Sequence, residues 1–158
     1  MLLPTDEVPR AGAVLNPFVI VDDAAGFLEF VTSVFEVSET VEARTPMPDG
    51  SLIHAEARVG DVDLMVADRR EGWPARPALL QVWVRDVAEV LARAEARGAE
   101  VVTPPTHFYG ETTLGRMLDP WGTVWWLYAP APGRPDPEWG SEVFTTLDKA
   151  MRALGTKK

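Results

Sequence analysis

The chain moves between two hydrophobic rhythms, and it makes the same passage twice. An apolar run over about 14–21 ends at Asp22 and Asp23, and Phe27, Leu28, Val31, Val34 and Phe35 then fall on one stripe of a helix spanning about 24–36. The rhythm next shortens to two. In "LIHAEARVG", Ile53, Ala55, Ala57 and Val59 alternate with His54, Glu56 and Arg58, as in a strand with one covered face. Strands are predicted over about 38–45, 51–58 and 61–67, with "PDG" at 48–50 as a turn. The second passage reads alike: a strand over about 78–85, a helix over about 87–97, and strands over about 99–102, 112–118 and 122–129. That helix carries Val87, Val90, Leu91 and Ala94 on one side and stops at Gly98, a residue suited to a left-handed C-cap. Asp23 and Asp86 precede the helices as N-caps, and Glu89 stands three residues after Asp86 in capping-box spacing.

The two passages share residues as well as rhythm. Val19, Val21, Asp23, Ala25 and Leu28 recur 63 positions later as Val82, Val84, Asp86, Ala88 and Leu91. Gly60, Val62 and Ala67 recur 62 positions later as Gly122, Val124 and Ala129. A duplicated β-α-β-β-β unit accounts for both matches. Beyond Tyr128, Pro130, Pro132, Pro135 and Pro137 form a stiff linker. A helix over about 140–154 follows, with Val143, Phe144, Leu147, Met151 and Leu154 on one side, to dock on the body or on a second subunit.

Composition narrows the setting. The 158 residues suffice for one domain, with module one at about 14–68 and module two at about 78–130, and 46% hydrophobic with 25% charged residues is ordinary globular composition. The expected class is therefore α+β: two paired βαβββ modules and a C-terminal helix. A net charge of −9 without a dense basic run argues against nucleic acid and anionic bilayers as partners. There is no cysteine, hence no disulfide framework, thiol nucleophile or thiolate metal site. The opening "MLLPTDEVPRAGAVL" has acids and prolines where a signal peptide has a basic start and an apolar core, so a cytoplasmic protein is expected.

The segments "LNPFVIVDDAAGFLEFVTSVF", "DGSLIHAEARVGDVDLMVAD", "VWVRDVAEVLARAEARGAEVVTPP" and "YGETTLGRMLDPWGTVWWLYA" resemble the vicinal oxygen chelate superfamily, which holds glyoxalase I, extradiol dioxygenases and the fosfomycin and bleomycin resistance proteins. The HAE, YGE and DPWG segments resemble its PhnB-like branch. The resemblance covers about 14–129 and implies curved sheets enclosing a cleft, helices outside, and commonly a homodimer. Catalytic members hold a divalent metal on His, Gln or Glu. Transferring those places by spacing from Asp23, Asp86 and Asp119 lands on Asn16, Leu79 and Trp126, with the fourth near Leu64. Leucine and tryptophan offer a metal no lone pair, and one amide oxygen cannot hold an ion alone. No metal and no other cofactor is therefore expected.

The positions carried over from the family, extended by strand alternation, give a cleft lining of Asn16, Phe18, Leu79, Gln81, Trp83, Val124, Trp126 and Tyr128. These side chains either bind a flat, partly apolar molecule, with Gln81 and Asn16 orienting it, or simply fill a barrel interior. His54 and Glu56 are either a solvated strand face or a polar cluster touching ligand. His107, placed on a loop after two prolines, is a weaker ligand contact, and Tyr109 in "HFYGE" belongs to a lid. "DRREGWPARP" sets Arg69, Arg70 and Arg76 beside Trp73, as an exposed linker or an anion-facing loop. No serine-hydrolase elbow, dinucleotide fingerprint, P-loop or zincin motif occurs. Ser33, Ser38, Ser51 and Ser141 are scattered with nothing to place them beside a histidine. The leading expectation is a metal-independent binding protein for an aromatic or antibiotic-like small molecule, with no catalytic residue. Two alternatives stand beside it: a metal-dependent lyase, isomerase or dioxygenase, and a protein-interaction module.

Overall fold

The computed structural model describes residues 7, 13–75, 77–138 and 142–156. Among them are nine strands in two sheets and three α-helices, so the α+β class holds. The chain divides into two compact units, residues 1–78 and 79–158.

In the first unit, β1 (Phe18–Val21) leads into α1 (Ala24–Phe35), followed by β2 (Ser38–Glu39), a 3-10 turn (Val41–Ala43), β3 (Thr45–Pro46), β4 (Leu52–Val59) and β5 (Val62–Asp68). The sheet order is β1-β5-β4-β2, with β3 also on β4, and β1 runs parallel to β5. β1 starts later than the apolar run suggests. Pro17 has no N–H to give, and Asn16 spends its side-chain amide on backbone groups, donating to nearby Ala13 O at 2.9 Å and accepting from the distant Asp63 N at 2.9 Å. The single strand predicted at 38–45 is two short pieces split by the 3-10 turn.

The second unit contains β6 (Leu79–Trp83), α2 (Val87–Glu95), β7 (Glu100–Phe108), β8 (Thr112–Leu118), β9 (Val124–Pro130) and α3 (Glu142–Thr156), in sheet order β6-β9-β8-β7. β6 is parallel to β9, as β1 is to β5. The predicted strand 99–102 is too short, because β7 continues through Pro104 and Pro105 to Phe108. It is an edge strand whose register shifts on both sides of Thr103, and an edge is where a missing N–H is tolerated. His107 therefore lies on a strand and not on a loop.

Each helix covers one face of its own sheet. Val19, Val21, Ala55, Ala57, Leu64 and Val66 are buried together with Phe27, Val31 and Val34 of α1. In the second unit Trp125, Leu127 and Met117 are buried with Val87, Leu91 and Ala94 of α2. The approach of α2 requires Gly115, where a Cβ would stand 2.4 Å from Val87 Cγ1 and 3.0 Å from Leu91 Cδ1. Both expected caps form: Asp23 accepts from Gly26 N, and Asp86 from Glu89 N, each at 3.0 Å. Glu89 turns its carboxylate to Arg93 at 2.7 Å.

α3 packs on β7 of its own unit, with Leu147 buried. The tail before it is laced to the β7–β8 turn. Gly110 N donates to Asp136 Oδ1 at 2.8 Å, Gly133 N to Glu111 Oε1 at 2.9 Å, and Ala131 N to Glu111 O at 2.6 Å.

Candidate functional site

The face of each sheet turned away from its α1 or α2 helix carries the chemistry. In the first unit, ladder partners share a face, so Phe18, Met65 and Glu56 lie in one row across β1, β5 and β4. His54 joins them through two contacts. Its ring meets Phe18 edge-on at 5.8 Å, and its Nε2 lies 2.9 Å from Glu56 Oε1. Glu56 is buried, while His54 is half-buried and Phe18 49% exposed. Asn16, used to brace the chain ahead of β1, is not among these contacts.

In the second unit the alternation of "VWWLYA" is as the strand period requires. Trp125 and Leu127 are core, while Val124, Trp126 and Tyr128 are half-buried on the other face. Leu79, Gln81 and Trp83 of edge strand β6 pair with them in register, and all three are exposed. Trp83 packs on Tyr128 at 5.5 Å, and Tyr128 on Phe108 at 6.1 Å, edge-on. Tyr109 stacks edge-on against Phe108 at 5.2 Å and donates its hydroxyl to Glu138 O at 3.1 Å, tying the β7–β8 turn to the tail. His107 sits on the strand with Nε2 donating to Pro135 O at 2.6 Å. Beside Trp83, a shallow recess of about 250 Å³ is lined by Gly110, Glu111, Thr112, Pro130 and Pro132.

One residue of this face escapes a reading of the sequence. The row Gln81–Trp126–Arg116–Thr103 crosses all four strands, and Arg116 is fully buried in it. Its guanidinium lies 4.9 Å from the Trp126 ring centroid, a cation–π distance, and donates to Thr103 Oγ1 at 2.9 Å and Leu147 O at 2.8 Å. Burial holds Arg116 below its ordinary pKa, against a smaller opposing effect of Tyr128. Burial likewise raises the Tyr128 phenol. The strand pattern predicts that Arg116 shares a face with Leu114, but an arginine at such a place reads as solvated until α3 is seen to cover it. By ladder register Arg116 is the counterpart of Glu56 in the first unit: each is paired across the sheet with the last strand, to Trp126 and Met65 respectively.

That register corrects the carried-over metal positions. β1 pairs Val19 with Val66 and β6 pairs Val82 with Leu127, so the last strands correspond at an offset of 61, not 62. A slip of one residue moves a side chain to the opposite face. Leu64 is consequently core, and Met65 is the first-unit counterpart of Trp126. The four places are then Asn16, Met65, Leu79 and Trp126, a set without imidazole or carboxylate, which does not fit a divalent metal. Among the described residues, no three His, Cys, Asp or Glu side chains come together as a group able to hold a metal ion.

Asp119 of "DPWG" anchors the turn ahead of β9. Its Oδ1 accepts from Trp121 N at 3.0 Å and Thr123 N at 2.9 Å, and its Oδ2 from Trp125 Nε1 at 2.9 Å. Burial raises its carboxyl above the usual range while these donors pull it down. The motif is thus a structural clasp on the core tryptophan. In the 68–77 loop, Arg69 pairs with Asp22 at 2.8 Å and Trp73 is exposed; Arg76, like Ser141, lies outside the described residues.

The family model of the glyoxalase/bleomycin resistance protein/dioxygenase superfamily matches residues 13–127. The chain belongs to that superfamily. An uncharacterized protein of Mycobacterium tuberculosis strain H37Rv is 32% identical over 127 residues, 73% of this chain and 74% of that one. A glyoxalase/bleomycin resistance protein/dioxygenase family enzyme from Burkholderia phytofirmans PsJN superposes with a TM-score of 0.59 at 18% identity, covering 71% of this chain and 94% of the other. A structure described as a putative 3-demethylubiquinone-9 3-methyltransferase, PhnB protein, from Bacillus cereus gives 0.53 at 22% identity, covering 73% and 98%. At such identities the superfamily likeness of the solved structures is a likeness of fold, and chemistry has to be read from the residues. Among the described residues, no helix of this superfamily member is long and apolar enough to cross a membrane.

Proposed function

We propose that this superfamily member binds a planar, partly apolar small molecule of aromatic or antibiotic-like kind, without a metal and without catalysing its conversion. The observation that carries this reading is the aromatic row of the second unit. Trp83, Tyr128 and Phe108 touch in sequence at 5.5 and 6.1 Å, beside the half-buried Trp126 and the exposed Gln81. Aromatic walls supply area and stacking, and an amide supplies direction. In the first unit, Phe18, His54 and Glu56 provide a smaller polar-aromatic cluster of the same use. Cytoplasmic residence and a homodimer belong to the same proposal.

A thermal-shift and tryptophan-fluorescence screen with planar aromatic antibiotics and metabolites tests it, since a ligand that binds only the folded chain raises its stability by mass action. A saturable shift that Trp126→Ala abolishes is expected. If no compound shifts the wild type, the reading fails. Elemental analysis of protein purified without chelator tests the metal-free part, because stoichiometric Zn, Ni, Mn or Fe would overturn it. The His54–Glu56 contact favours a second reading, proton transfer on a bound substrate. Loss of turnover in His54→Ala with binding intact would support it.

A further inference from the structure

A buried guanidinium is costly unless its donors and its charge are met. Arg116 is fully buried, yet the acceptors that meet it, Thr103 Oγ1 and Leu147 O, are both neutral. Its Nη1 has no acceptor among the described residues. The neighbouring Trp126 Nε1, paired with Arg116 in register, is equally buried and equally without one. Two unsatisfied N–H groups on adjacent residues of one face, one of them cationic, call for an acceptor that the described residues do not supply.

We propose that Arg116 Nη1 and Trp126 Nε1 form a carboxylate-binding subsite, and that the ligand of this face is an aromatic carboxylic acid. Two donors match the two oxygens of a planar carboxylate. A phosphate would bring additional charged oxygens with no donor to meet them, at the cost of leaving them buried and unpaired. The ring of the acid extends over Trp126 toward the neighbouring pair Tyr128 and exposed Trp83, with Gln81 at the open edge. The carboxylate supplies a countercharge that no described residue gives Arg116, while α3, through Leu147 O, covers the arginine from the tail side. This inference rests on the second-unit face being the ligand site.

The experiment titrates the full chain with 2-naphthoate and with its neutral amide, 2-naphthamide, at pH 7, following tryptophan fluorescence and calorimetry. The acid is expected to bind roughly tenfold or more tightly than the amide, as a charge-assisted pair requires. Arg116→Gln should abolish the preference, bringing the acid down to the level of the amide. Equal affinity of acid and amide for the wild type overturns the carboxylate subsite while the ligand-site reading stands. Binding of neither overturns the subsite, and the ligand-site reading falls with it only if the broader screen is also blank. An acid preference that survives in Arg116→Gln also overturns the subsite. If that variant does not fold by circular dichroism, the wild-type comparison together with Trp126→Phe, which keeps a ring and removes the indole N–H, decides the matter. A preference unchanged by Trp126→Phe then counts against it.

Discussion

The Arg116 guanidinium lies 4.9 Å from the centroid of the Trp126 ring, its ladder partner on the face of the second sheet turned away from α2. Out of water such a pair is worth about 1–2 kcal/mol. A double-mutant cycle with Arg116→Met and Trp126→Leu, read from urea denaturation midpoints, should return a favourable coupling of about that size. Strict additivity would mean that the two side chains merely adjoin.

Thr103 accepts from Arg116 Nε at 2.9 Å inside the protein. Thr103→Val keeps shape and removes the acceptor, leaving a buried cationic N–H bond unmade. It should destabilise by about 1–3 kcal/mol, whereas Thr103→Ser should cost much less of that hydrogen-bond energy. Equilibrium unfolding of both variants checks the contrast.

Gly115 is where α2 rests on its sheet, and a Cβ there would meet Val87 Cγ1 at 2.4 Å. Gly115→Ala should cost about 1–3 kcal/mol through forced displacement of the helix, and Gly115→Val more. Hydrogen exchange should show the loss of protection concentrated in residues 87–95. Unchanged protection there would show that the helix yields without strain.

Asp119 is buried with its carboxyl pushed above the ordinary range. Between the unfolded value and that raised folded value, the native chain holds a proton that the unfolded chain releases. The group's contribution to stability is therefore complete at low pH and declines as pH rises through the raised value. Asp119→Asn removes this titration and loses the acceptor for Trp125 Nε1. The wild type should exceed the variant by most below about pH 4, with the gap narrowing toward neutrality. Denaturation midpoints measured from pH 3 to 7 read this directly, and a gap that widens with pH would reverse the assignment.

Tyr109 ties the β7–β8 turn to the tail through Glu138 O at 3.1 Å. Tyr109→Phe should leave the fold intact at a cost of about 1 kcal/mol. It should also speed amide exchange at Gly110, Glu111 and Gly133, whose N–H groups bond within the same lacing. Unaltered exchange would mean that the backbone bonds hold the tail unaided.

Much of this protein is local. Strand alternation separated Trp125 from Trp126, and three-to-four spacing marked Phe27, Val31 and Val34 as covered. The repeated V-x-V-x-D preceded both helices, because one strand and one helix turn are decided by neighbours in the chain. Register is not local, which is why the repeat suggested Leu64 where the parallel pairing of β1 with β5 puts Met65 on the working face. Nor is depth. Arg116 reads as a solvated charge until β7, Trp126 and α3 close over it, and Asp119 reads as a family motif until Trp125 is found bonded to it. The sequence by itself determined the α+β units, their duplication, the caps and the two faces of each strand, since these follow from periods of two and 3.6 and from backbone chemistry. Only the tertiary structure decided which polar groups on those faces lose their water, because desolvation depends on what distant segments cover them.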